Sequence, residues 1–258
     1  EYFRIYYAPN NATLCIVGDF DPSDMIKLVG SHLGTIPSGP APKPVTTMER
    51  PQNGERRTEL YRQAQLAAVL SSWHVPEAQH EDYYALVVLE GLLLRGDSSR
   101  LHRRLVEQDE LALRVFGGFD QSMDPTLFQI FMQVRQGVEP ERCEATLYEE
   151  LDKLKQQAPD ERELRKAKNQ LAANFYRGLQ TIGGKAIALG FSDVYHNDPK
   201  KFLTSVDRYE EVTAEDVQRV VRTYFTKRNR TVSTLIPEAE PQEDANLTPK
   251  NETAEVGS

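Results

Sequence analysis

Apolar residues recur along this chain at two distinct periods. In TLFQIFMQV (126–134), Phe128, Ile130, Met132 and Val134 alternate with Gln129, Phe131 and Gln133. A period of two predicts a strand with one face on a core and the other wetter. LALRVFGGF reads as its neighbour across DQSMDP, and LAAVLSSW as a third strand. HEDYYALVVLEGLLL is instead apolar at helical spacing, with Tyr84, Val87, Val88, Gly91 and Leu92 on one side. RLHRRLVEQDEL predicts a short helix with Leu101 and Leu105 four apart, entered through the turn RGDSSR with Ser98 or Ser99 as its cap.

Further along, 139–157 predicts a helix striped by Leu147, Leu151 and Leu154, and Pro159 restarts another carrying Leu164, Ala167, Leu171, Phe175 and Leu179. Gly183-Gly184 is expected to break that helix, Asp198-Pro199 to start the next, and Thr213-x-x-Asp216 to form a capping box for the last. Near the start, ATLCIVGDF reads as a buried strand through Leu14, Ile16 and Val17. Asp21-Pro22 then caps a helix bearing Met25, Ile26, Val29 and Leu33, stopped by Gly34. The next stretch holds five prolines with scarcely any periodicity and reads as an extended linker, 36–57.

The two ends of this pattern match each other. YYAPNNATLCIVGD set beside YFTKRNRTVSTLIP places Tyr6 on Tyr224, Asn11 on Asn229 and Thr13 on Thr231, a constant offset of 218 residues. Each segment is an aromatic pair, a turn containing Asn, and a strand. The spacing is that of an internal repeat. The expected organisation is therefore 1–35 as the end of a first unit, 36–57 as linker, 58–237 as a complete second unit, and 238–258 as an acidic disordered tail.

Charge and composition narrow the function classes. The net charge is −8, of which −5 belongs to the tail after Pro237, leaving a body of −3. No basic stripe is present to meet a phosphate backbone, so nucleic acid is not expected as a partner. No apolar run approaches the ~20 residues of a membrane span. The two cysteines, Cys15 and Cys143, form no disulfide framework and read as small buried hydrophobes.

YYAPNNATLCIVGDFDP with the helix after it, DYYALVVLEGLLL, DSSRLHRRLVEQDELAL and the closing helix and strand together resemble the pitrilysin/insulinase type of zinc metallopeptidase, the superfamily of mitochondrial processing peptidase. The likeness runs from Tyr2 to Pro237. It implies an α+β fold, each half a two-layer α/β unit with an antiparallel-rich sheet under helices, two such halves facing across a chamber that admits unfolded peptides. It also implies a zinc site in the first half, on an inverted His-x-x-Glu-His helix whose histidines share one face.

That motif does not occur in this sequence. In HVPEAQH, His74 and His80 stand six apart across Pro76, a spacing that does not share a helix face, and both read as exposed loop residues. The Arg and Tyr that the family's second half often presents to substrate fall on Val106 and Leu113, neither of which donates a hydrogen bond. Arg104 and Arg114, close by, read as ordinary solvated charges. The resemblance thus implies the C-terminal, non-catalytic part of a zinc metalloendopeptidase: no catalytic residue and no metal ligand in this chain, zinc in the full-length parent, and no hydrolysis by this part alone. The alternative is a peptidase-like scaffold or assembly subunit. Expected partners are the N-terminal half, a second peptidase-like subunit and peptide substrates, in a soluble protein of the bacterial periplasm or cytoplasm. Paired glycines in a strand permit a bulge or close backbone approach, and the resemblance implies that this neighbourhood faces the chamber, which makes Gly117, Gly118 and Phe119 the candidate substrate-contact residues.

Overall fold

The computed structural model describes residues 1–47 and 49–238; the acidic tail after Glu238 lies outside the described residues. Five strands form one sheet: β1 (Arg56–Gln63), β2 (Ala68–Val75), β3 (Ala112–Gly118), β4 (Thr126–Val134) and β5 (Arg230–Glu238), in the order β1-β5-β2-β4-β3. Only β1 and β5 run parallel; the other three pairings are antiparallel. The helices are α1 (Tyr2–Tyr6), α2 (Pro22–Leu33), α3 (Tyr83–Leu94), α4 (Pro140–Gln156), α5 (Glu161–Gly178), α6 (Ile182–His196), α7 (Ser205–Glu211) and α8 (Ala214–Tyr224). This is the two-layer, antiparallel-rich architecture that the pattern and the resemblance both imply.

The alternation in β4 sets the layers. Phe128, Ile130, Met132 and Val134 are buried, the first three in register with Trp73, Ser71 and Val69 of β2, and face the helices. Leu127, Gln129 and Phe131 take the opposite, open face. At the centre of the helix layer α3 is apolar all round and buried from Ala85 to Leu93, as a helix packed on every side must be. α5 packs against α3 at Gly91, where a methyl would make ordinary contact, 3.6 Å from the Ala167 Cβ.

β5, the last strand, inserts between β1 and β2. Phe225 seats its base, with ring centroids 5.1 Å from Trp73 and 5.0 Å from Phe128. Asn229 then ties neighbouring elements together, its Nδ2 donating to the carbonyls of His74 (2.9 Å) and Tyr224 (2.8 Å). Arg230 is buried over the Tyr148 ring, 3.6 Å from its centroid, and pairs with Glu55 at 2.5 Å. Gln52 donates to the Arg230 carbonyl at 2.7 Å. The proline-rich stretch is therefore pinned at its far end, and Asn10 holds its near end through the Gly39 amide at 2.9 Å.

The two matching segments adopt the same backbone. Asn11 donates to the Tyr6 carbonyl at 2.9 Å, as Asn229 does to that of Tyr224 at 2.8 Å. Each Asn closes a single 3₁₀ turn, Pro9–Asn11 or Lys227–Asn229. The residues opening the two turns, Ala8 and Thr226, have φ/ψ of −98/154 and −96/153. Beyond the turn they diverge. Residues 230–238 become β5, whereas residues 12–17 form no strand, and Leu14 and Ile16 are exposed. The expected buried strand is thus corrected. A strand needs a neighbour to pair with, and the polar contact made by residues 12–17 is to α6, through Thr13 Oγ1 to Asp193 Oδ2 at 3.1 Å. Cys15, in the same segment, is half-buried rather than buried; Cys143 is buried, and burial pushes its thiol up to about 11.

Three local expectations also change. Gly183-Gly184 does not end α5, which stops at Gly178; the pair forms the first turn of α6, capped by Thr181 Oγ1 on the Gly184 amide at 3.0 Å. A methyl on Gly184 would meet the Gly178 carbonyl oxygen, so this glycine is required by close approach. Neither Ser98 nor Ser99 caps its helix by side chain: the Ser99 Oγ is buried without a partner. The turns beyond it widen into a π-helix, His102–Gln108, closed by Asp109 N–H to the Arg104 carbonyl at 3.0 Å. By contrast the Thr213/Asp216 capping box and the Asp21 cap are both present.

The bridging role of Asn229 sets a matched pair of stability measurements. Asn229→Ala leaves the carbonyls of two elements unpaired and is expected to cost about 1–3 kcal/mol in urea denaturation. Asn11→Ala, at an exposed copy of the same turn, is expected to cost under about 0.5 kcal/mol.

Candidate functional site

β3 is an edge strand, and its last residues are the paired glycines. Gly117 lies so close to β4 that a methyl would meet the Gln129 carbonyl. Gly118 has φ +135, and a methyl there would stand 2.7 Å from the Glu90 carboxyl carbon. Both positions therefore demand glycine. With Asp120, Leu127 and Gln129 they line a recess of about 360 Å³ whose floor is Glu90 and Arg95. Phe119 also borders this recess, while its ring turns inward to stack on Phe128 at 5.6 Å and meet Tyr83 edge-on at 5.6 Å.

Glu90 is the residue that sequence reading missed. It is a buried carboxylate near the end of α3, bound by Arg95 through Nε at 3.0 Å and a terminal nitrogen at 2.7 Å. Burial raises its pKa above the ordinary 4.5, outweighing the Arg95 guanidinium and the Phe119 backbone amide. Its signal in the sequence was a lone acid inside VVLEGLLL, where each neighbour is apolar or glycine.

Beside the recess the open sheet face carries an apolar patch. Phe116 and Phe131 pack across the strands at 4.9 Å, and the Arg114 guanidinium lies 5.4 Å over the Phe116 ring. Phe116 and Leu113 are about half exposed, at 49% and 47%. Arg114 is thus part of an aromatic contact rather than a plain solvated charge. Arg104 departs further from expectation: it is half-buried, with Asp109 at 2.8 Å, Glu149 at 3.4 Å and Glu150 at 3.7 Å, and it clamps the π-helix to α4. Val106 packs against the core within the π-helix, whereas Leu113 faces solvent at a bulge of β3.

The histidines are dispersed. His74 is a β2 residue, not a loop residue as read from sequence, and meets Glu49 at 3.6 Å. His80 does lie in the turn before α3, 3.8 Å from Asp82. Among the described residues no group of three His, Cys, Asp or Glu side chains could hold a metal ion, so the residues present do not fit a zinc site. No helix of the described residues is long and apolar enough to cross a membrane.

Comparison with known proteins is consistent with this picture. The family model described as the peptidase M16 inactive domain matches residues 1–171. The chain is 27% identical to the zinc protease PqqE of Helicobacter pylori over 241 residues, 92% of this chain and 54% of that protein. It is 23% identical to YmxG of Bacillus subtilis, an uncharacterized zinc protease, over 88% of this chain and 54% of that one. Among solved structures, a protease from Helicobacter pylori superposes with a TM-score of 0.85 at 26% identity, covering 92% of this chain and 58% of that one. A peptidase M16 inactive domain from Pseudomonas fluorescens has the same fold, with a TM-score of 0.73 at 19% identity, covering 86% of this chain and 52% of that one. The chain spans about half the length of the curated relatives it matches.

A raised Glu90 pKa means that the folded protein holds this proton more tightly than the unfolded chain does. The stability this group contributes therefore falls as pH rises from about 4.5 through the folded pKa. Glu90→Gln removes that slope. Urea melts between about pH 4 and pH 7 are expected to give a stability difference that moves in the variant's favour as pH rises. A difference independent of pH would mean that the carboxylate is solvated.

Proposed function

Because this chain belongs to the M16 peptidase family, as a non-catalytic domain of that family, we propose that it walls one side of a peptide chamber in a larger zinc protease. In this reading the domain binds unfolded peptide in extended form along β3, and the bonds are broken elsewhere in the parent. The observation that carries it is the coincidence of an unpaired strand edge, two glycines that bring backbone to the surface, and the Phe116/Phe131 patch. An edge strand offers main-chain donors and acceptors to any sequence, and an apolar patch beside it selects large side chains at alternate positions. Gly117 and Gly118 then serve as close-approach points, and Phe119 fixes the turn after them.

The same reading gives residues 1–35 a place. Their turn repeats the geometry before β5, so we assign them to the end of a preceding homologous unit, with 36–57 as the strap into the sheet-bearing unit. The zinc ligands would belong to that preceding unit.

Fluorescence anisotropy with a labelled, unstructured peptide of about ten residues tests the binding role. Saturable binding by the chain is expected, weakened about tenfold by Phe116→Ser, a loss of about 1.4 kcal/mol. Binding that ignores this substitution would remove β3 and its patch from the reading. Peptide cleavage by the chain alone would overturn the assignment as a non-catalytic wall.

A further inference from the structure

The helix layer contains a second cleft that peptide binding on the sheet leaves unused. Six rings wall its inner chamber, of about 180 Å³: Tyr83 and Tyr84 of α3, Phe175 of α5, Phe191 of α6, Phe202 just before α7, and Tyr209 within α7. The outer chamber, about 340 Å³, shares Tyr84, His196 and Lys201 with the inner one and adds His80 and Arg208. One cleft thus has an aromatic interior and a rim carrying Lys201, Arg208 and two histidines beside two carboxylates. Cavities of about 150 Å³ lined by apolar groups admit a benzene ring, so the inner chamber is large enough for one.

The rim fixes the charge of what it would bind. The Lys201 ammonium forms no ion pair among the described residues. Arg208 lies 5.6 Å over the Tyr84 ring and is partly committed to Glu211 at 2.8 Å. His196, beside Gln121 at 3.3 Å, is held below the ordinary 6.5 by burial and by Lys201. Its ring serves as a hydrogen-bond partner on the rim. Glu81 and Asp198 also line the outer chamber. Two cations, one already shared, opposite two carboxylates suit a single negative charge better than a dianion such as phosphate.

We propose that this cleft binds a small aromatic carboxylate, with its ring in the inner chamber and its carboxylate on Lys201 and Arg208. Carboxylate meeting ammonium and guanidinium gives charge-assisted hydrogen bonds, and the six rings supply apolar contact and edge-to-face packing. A free aromatic amino-acid derivative and the C-terminal Phe or Tyr of a peptide present the same chemistry. The site does not depend on β3 binding peptide.

Isothermal titration of the whole chain with N-acetyl-phenylalanine tests the proposal, alongside its uncharged amide, N-acetyl-glycine, and a hexapeptide ending in free Phe. Saturable binding of the aromatic acid is expected, with affinity at least about tenfold weaker for the amide and for N-acetyl-glycine. Lys201→Ala is expected to weaken it by a similar factor, and Ala188→Trp, which fills the inner chamber, to abolish it. Hexapeptide binding as tight as that of the acid identifies the occupant as a chain end; binding of the acid alone identifies a free metabolite. No saturable binding, equal binding of the amide, or affinity unchanged in Lys201→Ala overturns the proposal. Lys201 is a rim residue and the amide needs no variant, so the comparison stands even if Ala188→Trp fails to fold.

Discussion

The sheet is complete only when its final strand fills the slot between β1 and β2. Those two strands have no pairing with each other, so every hydrogen bond that attaches β1 to the sheet goes through β5. The register joins Arg56 to Thr231 and Leu60 to Leu235, contacts that span nearly the whole unit. Loop closure on that scale must be met before the pairing contributes anything, which makes this a slow, late and all-or-none step. The surrounding polar groups act as its lock. Asn229 ties β2 to the end of α8, Arg230 is neutralised by Glu55, and Arg57 pairs with Glu144, which also accepts the Tyr148 hydroxyl at 2.6 Å. Breaking one of these buried pairs strands a charge, so each is more costly to lose than its net contribution to stability suggests.

The same economy explains why so many ionisable groups here are structural. Asp82, buried at the head of α3, takes Arg219 at 2.5 Å and the Tyr224 hydroxyl at 2.6 Å, joining α3 to α8. Arg104 bridges the π-helix and α4. These carboxylates and guanidiniums are held by one another. Glu90 differs: it is buried with Arg95 as its cationic partner, and it sits under the glycines of an open edge. Gly118, whose φ of +135 calls for glycine, lies directly against the Glu90 carboxyl, and this links the core of α3 to the shape of the β3 recess.

Sequence patterning made the strand faces, the central buried helix, the capping box and the proline cap legible, because each is a local code: a period, or a side chain satisfying an amide three residues away. The rest was hidden because it is set by neighbours. Gly183 and Gly184 look like a helix breaker, but the Gly178 carbonyl excludes a side chain at the second of them and the turn falls before the pair. Arg104 looks solvated until α4 brings Glu149 and Glu150 beside it. Widening of i→i+4 bonds into a π-helix leaves no trace in the RRLVEQ pattern. The three residues singled out for substrate were chosen by backbone chemistry, so the Glu90 carboxylate beneath them, contributed from a different element, was not visible.

The repeated Asn turn separates local from tertiary causes most cleanly. Asn11 and Asn229 make the same bond to the carbonyl five residues back, and the backbone before each turn agrees to within a few degrees at Ala8 and Thr226. A single local instruction is therefore obeyed twice. The two chains part after the turn because β5 finds a strand on each side, whereas residues 12–17 find one helix, and TLCIV keeps its apolar side chains Leu14 and Ile16 in solvent. Apolar strand-forming residues held extended without a partner carry an unused pairing potential along their whole length. The turn aims this segment as β5 is aimed, so the local code is the same in both places and only the neighbouring strands decide which copy becomes sheet.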